Sequence, residues 1–336
     1  MKTATNFSNY RFLIVGGTSK AGTTSVFNYL AKHPQICPSR AKESRFFLDA
    51  DYPLSSEMRY QKDGPQAYLS FFDSKDRQGE ENWRFEATPD YLYSPGTARL
   101  IRETLPNVRF IFLLREPVSR LLSFYRFGQQ LNEIPRAMTF DRYIELQGDT
   151  SGADFPGKYH HPALCALQHG RYSLYLKPFL ELFDRSAIHI AFFEDLRRDP
   201  HAFMVAICRW AGIDETCFQR YCFEIINKSF GVRHPQLHRV YFETKRKARS
   251  LVRHRPRLRS VLRQVGRKVN LAYRRMNVTK REEITMSAST KDFISTYYEE
   301  EPARLREMLG IEAPWPKDSG SSAAGPQAVR MPGGEG

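Results

Sequence analysis

Short runs of apolar residues separate longer stretches in which apolar and polar residues alternate with helical spacing. The first apolar run covers residues 11–15 and ends at a pair of glycines, and a second, near-continuous run covers 109–114. Such runs are typical of parallel strands that are buried on both faces. We predict a helix after each run, over 23–31 and 117–127, because Pro117 suits the first turn of a helix.

Two further apolar runs complete the predicted strands, at 187–193 and, more weakly, at 83–87. A helix over 199–211 follows the run at 187–193, and Gly212 marks its end. Strands that alternate with helices at this spacing predict an α/β fold, in which helices flank a parallel sheet to give three layers.

The pattern predicts a single domain over residues 9–315 and a disordered tail over 316–336. The segment 128–170 is rich in Gly, Pro and His, and we predict long loops there over the carboxyl edge of the sheet. Residues 286–310 have helical periodicity, whereas the tail consists mostly of Gly, Ser, Ala and Pro without any period.

Composition places the chain among globular proteins. It has 336 residues, of which 41% are hydrophobic and 13% aromatic. No apolar run is long enough to cross a bilayer or to act as a secretory signal, and an odd number of cysteines without a C-x-x-C pair argues against a disulfide framework. The expected location is therefore the cytoplasm, either free or at the periphery of a membrane.

The positive charge is concentrated in one predicted helical insert, residues 236–285. Within it, residues 239–275 hold 14 Lys or Arg and one acidic residue, Glu243. Three interpretations of this basic segment stay open: contact with an anionic membrane, contact with an anionic polysaccharide or lipid acceptor, and a lid with a solvated basic face. A protein that only binds anions is one candidate function. Nucleic acid is unlikely as a partner because aromatic residues suited to base stacking are lacking.

Residues 16–25 form a glycine-rich loop between the first strand and its helix. Backbone N–H groups and the helix dipole at such a junction bind phosphate. Gly17 and Gly22 have the spacing of a nucleotide P-loop, but Thr23 stands where the Walker pattern requires lysine, and the loop lysine is Lys20.

A second anion site follows the strongest strand. Arg115 stands at the strand end, where an enzyme that uses Mg-ATP needs a carboxylate, and Ser123 lies eight residues further along. This arrangement favours a nucleotide with two separate anionic groups and no metal. A P-loop kinase-like phosphotransferase that uses Mg-ATP stays as the alternative.

These two elements together resemble the sulfotransferases that use 3′-phosphoadenosine 5′-phosphosulfate. Residues 17–24 resemble the 5′-phosphosulfate loop of that family, and residues 115–125 resemble its 3′-phosphate motif, R-x-P-x-x-R-x-x-S-x-Y. Residues 42–47 and 86–91 resemble segments of the heparan-sulfate and bacterial branch. The resemblance implies a P-loop NTPase-like fold and transfer of a sulfuryl group to a hydroxyl of a carbohydrate or glycolipid, without a metal.

The resemblance also implies roles for individual residues. Lys20 would stabilise the leaving phosphate, and Glu43 would act as general base, with its pKa raised by the apolar residues that follow it. Histidines in the long loops are rival bases: His160, His161 and His169. The residues implied in nucleotide binding are Lys20, Ala21, Gly22, Thr23, Thr24, Ser25, Arg115, Ser123 and Arg233. The chain departs from its heparan-sulfate relatives at Ala87, where they have lysine.

Overall fold

The computed structural model describes most of the chain outside its basic segment and its tail. The described residues are 7–40, 42–54, 56–72, 82–131, 133–148, 164–219, 221–223 and 283–316, with strands at 231–232 and 278–279 and scattered helical positions between these strands. Arg233, His160, His161, most of the basic segment and the tail from 317 onward lie outside the described residues.

Five parallel strands form the central sheet. Their spatial order is β2-β3-β1-β4-β5, so that β1 lies in the centre between β3 and β4. The strands are β1 (Arg11–Gly17), β2 (Ile36–Pro38), β3 (Trp83–Ala87), β4 (Val108–Leu114) and β5 (Ile188–Phe192). A separate antiparallel pair consists of β6 (Gly231–Val232) and β7 (Val278–Thr279).

Helices connect the strands and extend beyond the last of them. They are α1 (Thr23–Leu30), α2 (Tyr60–Asp63), α3 (Thr97–Thr104), α4 (Pro117–Leu131), α5 (Phe140–Gly148), α6 (Tyr172–Leu182), α7 (Phe193–Arg198), α8 (Pro200–Ala211), α9 (Ala288–Tyr298) and α10 (Glu301–Leu309). A 3-10 segment, Pro89–Tyr93, follows β3 directly.

Alternation along each strand gives the sheet two buried faces. In β1, Phe12 and Ile14 pack into one apolar cluster with residues of α3 and α6. Leu13 and Val15 point the other way, into a second cluster with residues of α1 and α8. Successive side chains of a strand alternate between its faces, so an uninterrupted apolar run is what a sheet covered on both sides requires. The predicted three-layer α/β fold is confirmed.

Local signals set the ends of α8 as the sequence predicts. The Asp199 carboxylate accepts a hydrogen bond from the Ala202 amide at 2.9 Å, and Gly212 ends the helix with a φ of 68°. A side-chain cap satisfies an amide that the helix cannot, and a left-handed residue after the last turn costs glycine little.

The prediction of long loops over 128–170 is wrong for 128–131 and 140–148, and residues 149–163 lie outside the described residues. Helix α4 continues to Leu131, and α5 occupies Phe140–Gly148. Phe140, Tyr143 and Ile144 pack with residues of α4 in a third apolar cluster. The apolar face of α5 therefore outweighs the turn-forming composition around it.

None of the helices in the described part of the chain is both long enough and apolar enough to cross a membrane.

Candidate active site

The carboxyl ends of the parallel strands meet at one edge of the sheet, and the chain segments that follow them form the candidate site. Val15 pairs with Ala87 near the ends of β1 and β3, and Leu114 pairs with Phe192 at the ends of β4 and β5. Ligands of open α/β sheets bind at this edge. Residues from distant parts of the sequence therefore come together here.

The loop after β1 turns sharply before it enters α1. Lys20 and Gly22 have φ values of 74° and 88°. A Cβ at position 22 would stand 2.9 Å from a methyl carbon of Leu196. Both this close contact and the positive φ require glycine at this position. No side chain caps the start of α1 in the described structure, and a helix start without a side-chain cap is a place where an anion can bind.

Arg115 joins the end of β4 to this loop. Its guanidinium Nη1 donates a hydrogen bond to the carbonyl oxygen of Lys20 at 2.9 Å, and its central carbon lies 4.5 Å from the centre of the Phe193 ring. The Arg115 carbonyl in turn accepts a hydrogen bond from the Tyr172 hydroxyl at 2.7 Å. The two cationic residues that the sequence placed in separate motifs are thus neighbours.

The Lys20 ammonium lies in a partly desolvated and electropositive place. It stands 3.8 Å from the centre of the Phe127 ring. Burial, reinforced by the charges of Arg115 and Lys42 and opposed by Glu43, lowers the pKa of Lys20 to about 8. Burial and the neighbouring cations both disfavour the charged form of Lys20, and a bound anion would offset the repulsion between Lys20 and those cations.

The other described residues implied in nucleotide binding lie at the start of α1, just before it, and on α4. Ala21, Thr23 and Ser25 are buried, and Thr24 is half-buried. Ser123 is buried on α4, one helical segment beyond Arg115.

Two carboxylates near the strand ends are already engaged by protein donors. Glu116 accepts hydrogen bonds from the amides of Val118 at 2.8 Å and Ser119 at 2.6 Å, and so caps α4. Glu194, after β5, accepts from the Glu116 amide at 3.1 Å and from the Trp315 indole at 3.3 Å. Among the described residues, no group of three or more His, Cys, Asp or Glu side chains is arranged to hold a metal ion.

Glu43 lies in a tight charged cluster next to the end of β3. Its amide donates to the Ala87 carbonyl, and its two carboxylate oxygens accept from Lys42 at 2.7 Å and from Arg45 at 2.9 Å. Burial raises the pKa of Glu43, but the two cations outweigh it and leave the pKa below its usual value. The expectation of a raised pKa is therefore wrong, because the neighbours that decide it are the adjacent cations.

Glu86 anchors the segment that contains Glu43. This carboxylate has no exposed surface and accepts four hydroxyl hydrogen bonds, from Ser44 at 2.6 Å, Tyr68 at 2.9 Å, Thr88 at 2.9 Å and Tyr91 at 2.8 Å. Burial raises its pKa, and the hydroxyl donors oppose that shift. Because Ser44 follows Glu43 directly, the Glu86 cluster fixes the course of the chain at Glu43.

The segment Pro89–Tyr93 connects this carboxylate region to the phosphate loop. The Tyr93 hydroxyl contacts the Thr18 hydroxyl and donates to the His169 carbonyl at 3.0 Å. The His169 ring stacks on the Tyr93 ring with centres 3.8 Å apart. Burial, followed by the charge of Arg120, holds the pKa of His169 well below its ordinary value, so this imidazole is neutral at neutral pH.

Sequence reasoning did not assign roles to Glu86, Asp90 or Tyr93. Glu86 and Asp90 lie in the stretch 86–91 that resembles a family segment, and that resemblance is the signal that singles them out, whereas Tyr93 lies two residues beyond it. Glu86 has two partners nearby in sequence, Thr88 and Tyr91, but the other partners of these three residues lie 18 or more positions away, so local spacing does not indicate them.

Fold and site together define an α/β protein with an anion-binding cradle at the carboxyl edge of its sheet. The family model described as the sulfotransferase domain matches residues 11–257, more than half of the chain, and the chain belongs to this family. Membership confirms the family predicted from the two phosphate motifs.

Curated relatives match the chain over part of its length. The membrane-associated sulfotransferase kil1 of Dictyostelium discoideum is 38% identical over 140 residues, which are 40% of this chain and 28% of the relative. The bifunctional heparan sulfate N-deacetylase/N-sulfotransferase 1 of Caenorhabditis briggsae is 25% identical over 217 residues, 62% of this chain and 23% of the relative. The chain thus aligns with about a quarter of the length of these relatives.

A solved structure matches nearly the whole chain. The crystal structure of a sulfotransferase from Alicyclobacillus acidocaldarius superposes with a TM-score of 0.61 at 18% identity, and the match covers 90% of this chain and 97% of that one. At this identity the likeness establishes the shared fold.

Proposed function

We propose that this protein transfers a sulfuryl group from 3′-phosphoadenosine 5′-phosphosulfate to a hydroxyl of a carbohydrate or glycolipid acceptor. The observation that carries the proposal is the hydrogen bond from Arg115 to the Lys20 carbonyl, which brings two cationic side chains from two strand ends together. Their combined charge, beside the uncapped start of α1, fits a nucleotide that has phosphate groups at both ends of its ribose.

Each end of the nucleotide has its own set of residues in this proposal. The 5′ side lies on the phosphate loop, and the 3′-phosphate lies against Arg115 and Ser123. The loop set consists of Lys20, Ala21, Gly22, Thr23, Thr24 and Ser25. Arg233, outside the described residues, is proposed to contact the 3′-phosphate or the adenine.

Transfer proceeds by attack of the acceptor oxygen on sulfur. A new S–O bond forms while the bond between sulfur and the bridging phosphate oxygen breaks, and the electron pair leaves with the phosphate. Lys20 stabilises the charge that develops there, since a fixed cation acts most strongly where water is excluded. A carboxylate at the same edge takes the acceptor proton. Glu43 is the residue that the sequence assigns to this step, although its ion pairs make it a weaker base than that assignment assumed.

A carbohydrate acceptor is supported by the relatives named for heparan sulfate N-sulfation. Ala87 at the end of β3 lacks the cation that such relatives carry there, so a heparan-type acceptor is not implied. The proposal has two further parts. Residues 239–275 contact an anionic membrane or polysaccharide, and the protein is located in the cytoplasm.

The Mg-ATP alternative is disfavoured by the hydrogen bonds of Glu116 and Glu194. Both carboxylates near the ends of β4 and β5 hold protein amides or an indole, so neither is placed to take up a metal ion without loss of those bonds.

A thermal-shift experiment separates the two functions. Adenosine 3′,5′-bisphosphate at about 100 times its dissociation constant should raise the midpoint of unfolding by about 5 °C, and a chelator should not alter the shift. A larger shift with Mg-ATP that the chelator abolishes would support the kinase alternative. No shift with either nucleotide would support a protein that only binds other anions through its basic segment.

A further inference from the structure

Arg120 is a positive charge that lies inside the protein. It belongs to α4, and its side chain is 0% exposed. Its Nη2 atom donates a hydrogen bond to the Ala166 carbonyl oxygen at 2.8 Å. The Nε and Nη1 atoms are buried as well, and neither has an acceptor in the described structure. Because arginine stays protonated inside proteins, position 120 holds a full charge and leaves most of its donors unused.

The groups around the Arg120 guanidinium do not neutralise it. The centre of the Phe124 ring lies 5.8 Å from its central carbon, and the centre of the Tyr172 ring lies 5.9 Å from it. Burial and the charge of Arg120 lower the pKa of the His169 imidazole, so this ring is neutral. No carboxylate of the described residues forms an ion pair with Arg120. The hydrogen bond to a neutral carbonyl satisfies one donor, but it does not balance the charge.

This unbalanced charge lowers the stability of the free protein. Burial of a charge costs much free energy unless the charge is both paired and hydrogen-bonded, and buried donors without an acceptor are rare in folded proteins. An apolar side chain of similar length at position 120 would avoid this cost. An anion that binds close to Arg120 would offset it.

Arg120 lies beside the place that is proposed to hold the 3′-phosphate. It precedes Ser123 by three positions, and side chains three positions apart share one face of a helix. Its neighbour Tyr172 donates a hydrogen bond to the Arg115 carbonyl at 2.7 Å, so the Tyr172 side chain spans the gap between Arg120 and the backbone of Arg115. The buried charge is therefore next to both residues assigned to the 3′-phosphate, although its own nitrogen atoms Nε and Nη1 are sealed.

We propose that Arg120 strengthens the binding of the nucleotide 3′-phosphate through its charge, from a position that does not contact the nucleotide. This inference rests on the proposed function, which supplies the nucleotide. The attraction between a buried cation and an anion falls slowly with distance, because little water lies between them to screen it. The bound 3′-phosphate in turn supplies the negative charge that the protein does not place around Arg120.

The first test measures the affinity of Arg120→Met for two nucleotides by calorimetry. Methionine has a similar length and no charge. The affinity for adenosine 3′,5′-bisphosphate should fall by about tenfold. Adenosine 5′-monophosphate lacks the 3′-phosphate, and its affinity should fall by less than about threefold. A purely structural role would not produce this dependence on the 3′-phosphate.

The second test measures thermal unfolding without nucleotide. Because Arg120→Met removes an unbalanced charge, its unfolding midpoint should lie within about 2 °C of the wild type or above it. Weaker binding should thus occur without a loss of stability. Arg120→Lys retains a positive charge and should lose less affinity for adenosine 3′,5′-bisphosphate than Arg120→Met.

Tyr298→Phe is the matched control. It removes the hydroxyl that donates to the Leu167 carbonyl at 2.6 Å, next to the Ala166 carbonyl that Arg120 holds, and it keeps the charge of Arg120. This variant should unfold at a lower temperature than the wild type, because it loses a buried hydrogen bond. Its affinity for adenosine 3′,5′-bisphosphate should not change.

Wild-type affinity for adenosine 3′,5′-bisphosphate in Arg120→Met would overturn the proposal. Three other results would assign Arg120 to the architecture of the site and overturn it as well: equal losses for the two nucleotides, an equal loss in Tyr298→Phe, or failure of Arg120→Met to fold. In each of these cases the wild type still binds the nucleotide, and the proposed function stands. If the wild type does not bind adenosine 3′,5′-bisphosphate, the proposed function fails, and the proposal with it.

Discussion

The two ends of the candidate site are built in different ways. The phosphate end consists of two strand–loop–helix units, each continuous in sequence, which meet through the hydrogen bond from Arg115 to the Lys20 carbonyl. The carboxylate end gathers Glu43, Glu86 and Asp90 from separate segments, and Glu86 holds them together through four hydroxyls. Both ends carry cations, but Lys20 and Arg115 stand beside backbone amides at the phosphate end, whereas Lys42 and Arg45 are ion-paired with Glu43 at the carboxylate end.

This difference matches the two charges that sulfuryl transfer moves. Negative charge develops on the leaving phosphate, and positive charge leaves the acceptor as a proton. A site that has cations beside the leaving phosphate and carboxylates beside the acceptor stabilises both at once. If the separation is real, a substitution at one end should leave the function of the other end unchanged.

The largest expected effect comes from Arg115→Ala. Removing the guanidinium from a desolvated phosphate contact should weaken the affinity for adenosine 3′,5′-bisphosphate by about 100-fold or more. Isothermal titration calorimetry measures this directly.

The control for Arg115→Ala is Arg109→Ala, a change near the opposite end of the same strand. Arg109 donates to the Trp210 carbonyl at 2.7 Å, away from the phosphate loop. Its loss should leave nucleotide affinity unchanged. Equal losses in the two variants would mean that general destabilisation of β4, and not a phosphate contact, explains the effect.

The contrast between the two ends also explains what the sequence predicts well. Local sequence patterns indicate elements that depend on residues a few positions apart. These elements are strands β1 and β4, the phosphate loop and the cap of α8. The arrangement of Lys20 beside Arg115 follows from strand ends that share one edge of a parallel sheet.

The pKa values and contacts at the carboxylate end cannot be predicted from sequence, because they depend on how the folded chain positions charged and polar groups around each carboxylate. Burial raises the pKa of Glu43, but ion pairs with its neighbours Lys42 and Arg45 lower it below its usual value. The apolar residues that follow Glu43 had led us to expect a raised pKa. Asp90 has an ordinary sequence context, and its burial becomes visible once Tyr52 and the segment after β3 are packed together. The short strand β2, Ile36–Pro38, is likewise too brief for a recognisable pattern.

A smaller effect should follow from Ser44→Ala at the carboxylate end. The variant removes the hydroxyl that donates to Glu86 at 2.6 Å, and a buried hydrogen bond to a charged group contributes about 1.5–3 kcal/mol to the free energy of unfolding. Chemical denaturation measures that loss. Turnover should fall because the segment at Glu43 loosens, whereas nucleotide affinity should not change.

Ser70→Ala is the matched control for Ser44→Ala. The Ser70 hydroxyl donates to the neutral Ala67 carbonyl at 2.7 Å, so its removal should cost about 0.5–1.5 kcal/mol. The Ser44 hydroxyl also contacts the Tyr91 hydroxyl and accepts from the Phe46 amide, so if Ser44→Ala loses no more stability than Ser70→Ala, the bond to Glu86 is no stronger than one to a neutral carbonyl. If Ser44→Ala weakens nucleotide binding, the two ends are not independent.

The smallest expected effect is a pH dependence that belongs to the phosphate end. Burial and the neighbouring cations Arg115 and Lys42 lower the pKa of Lys20 to about 8, so its positive charge is present below that pH and is lost as the pH rises through it. Affinity for adenosine 3′,5′-bisphosphate should therefore fall by roughly tenfold between about pH 7 and about pH 9. Lys20→Arg keeps its charge over that range, and although its shape changes the absolute affinity, the dependence on pH should flatten. A slope that survives in Lys20→Arg would assign the titration to a group other than Lys20.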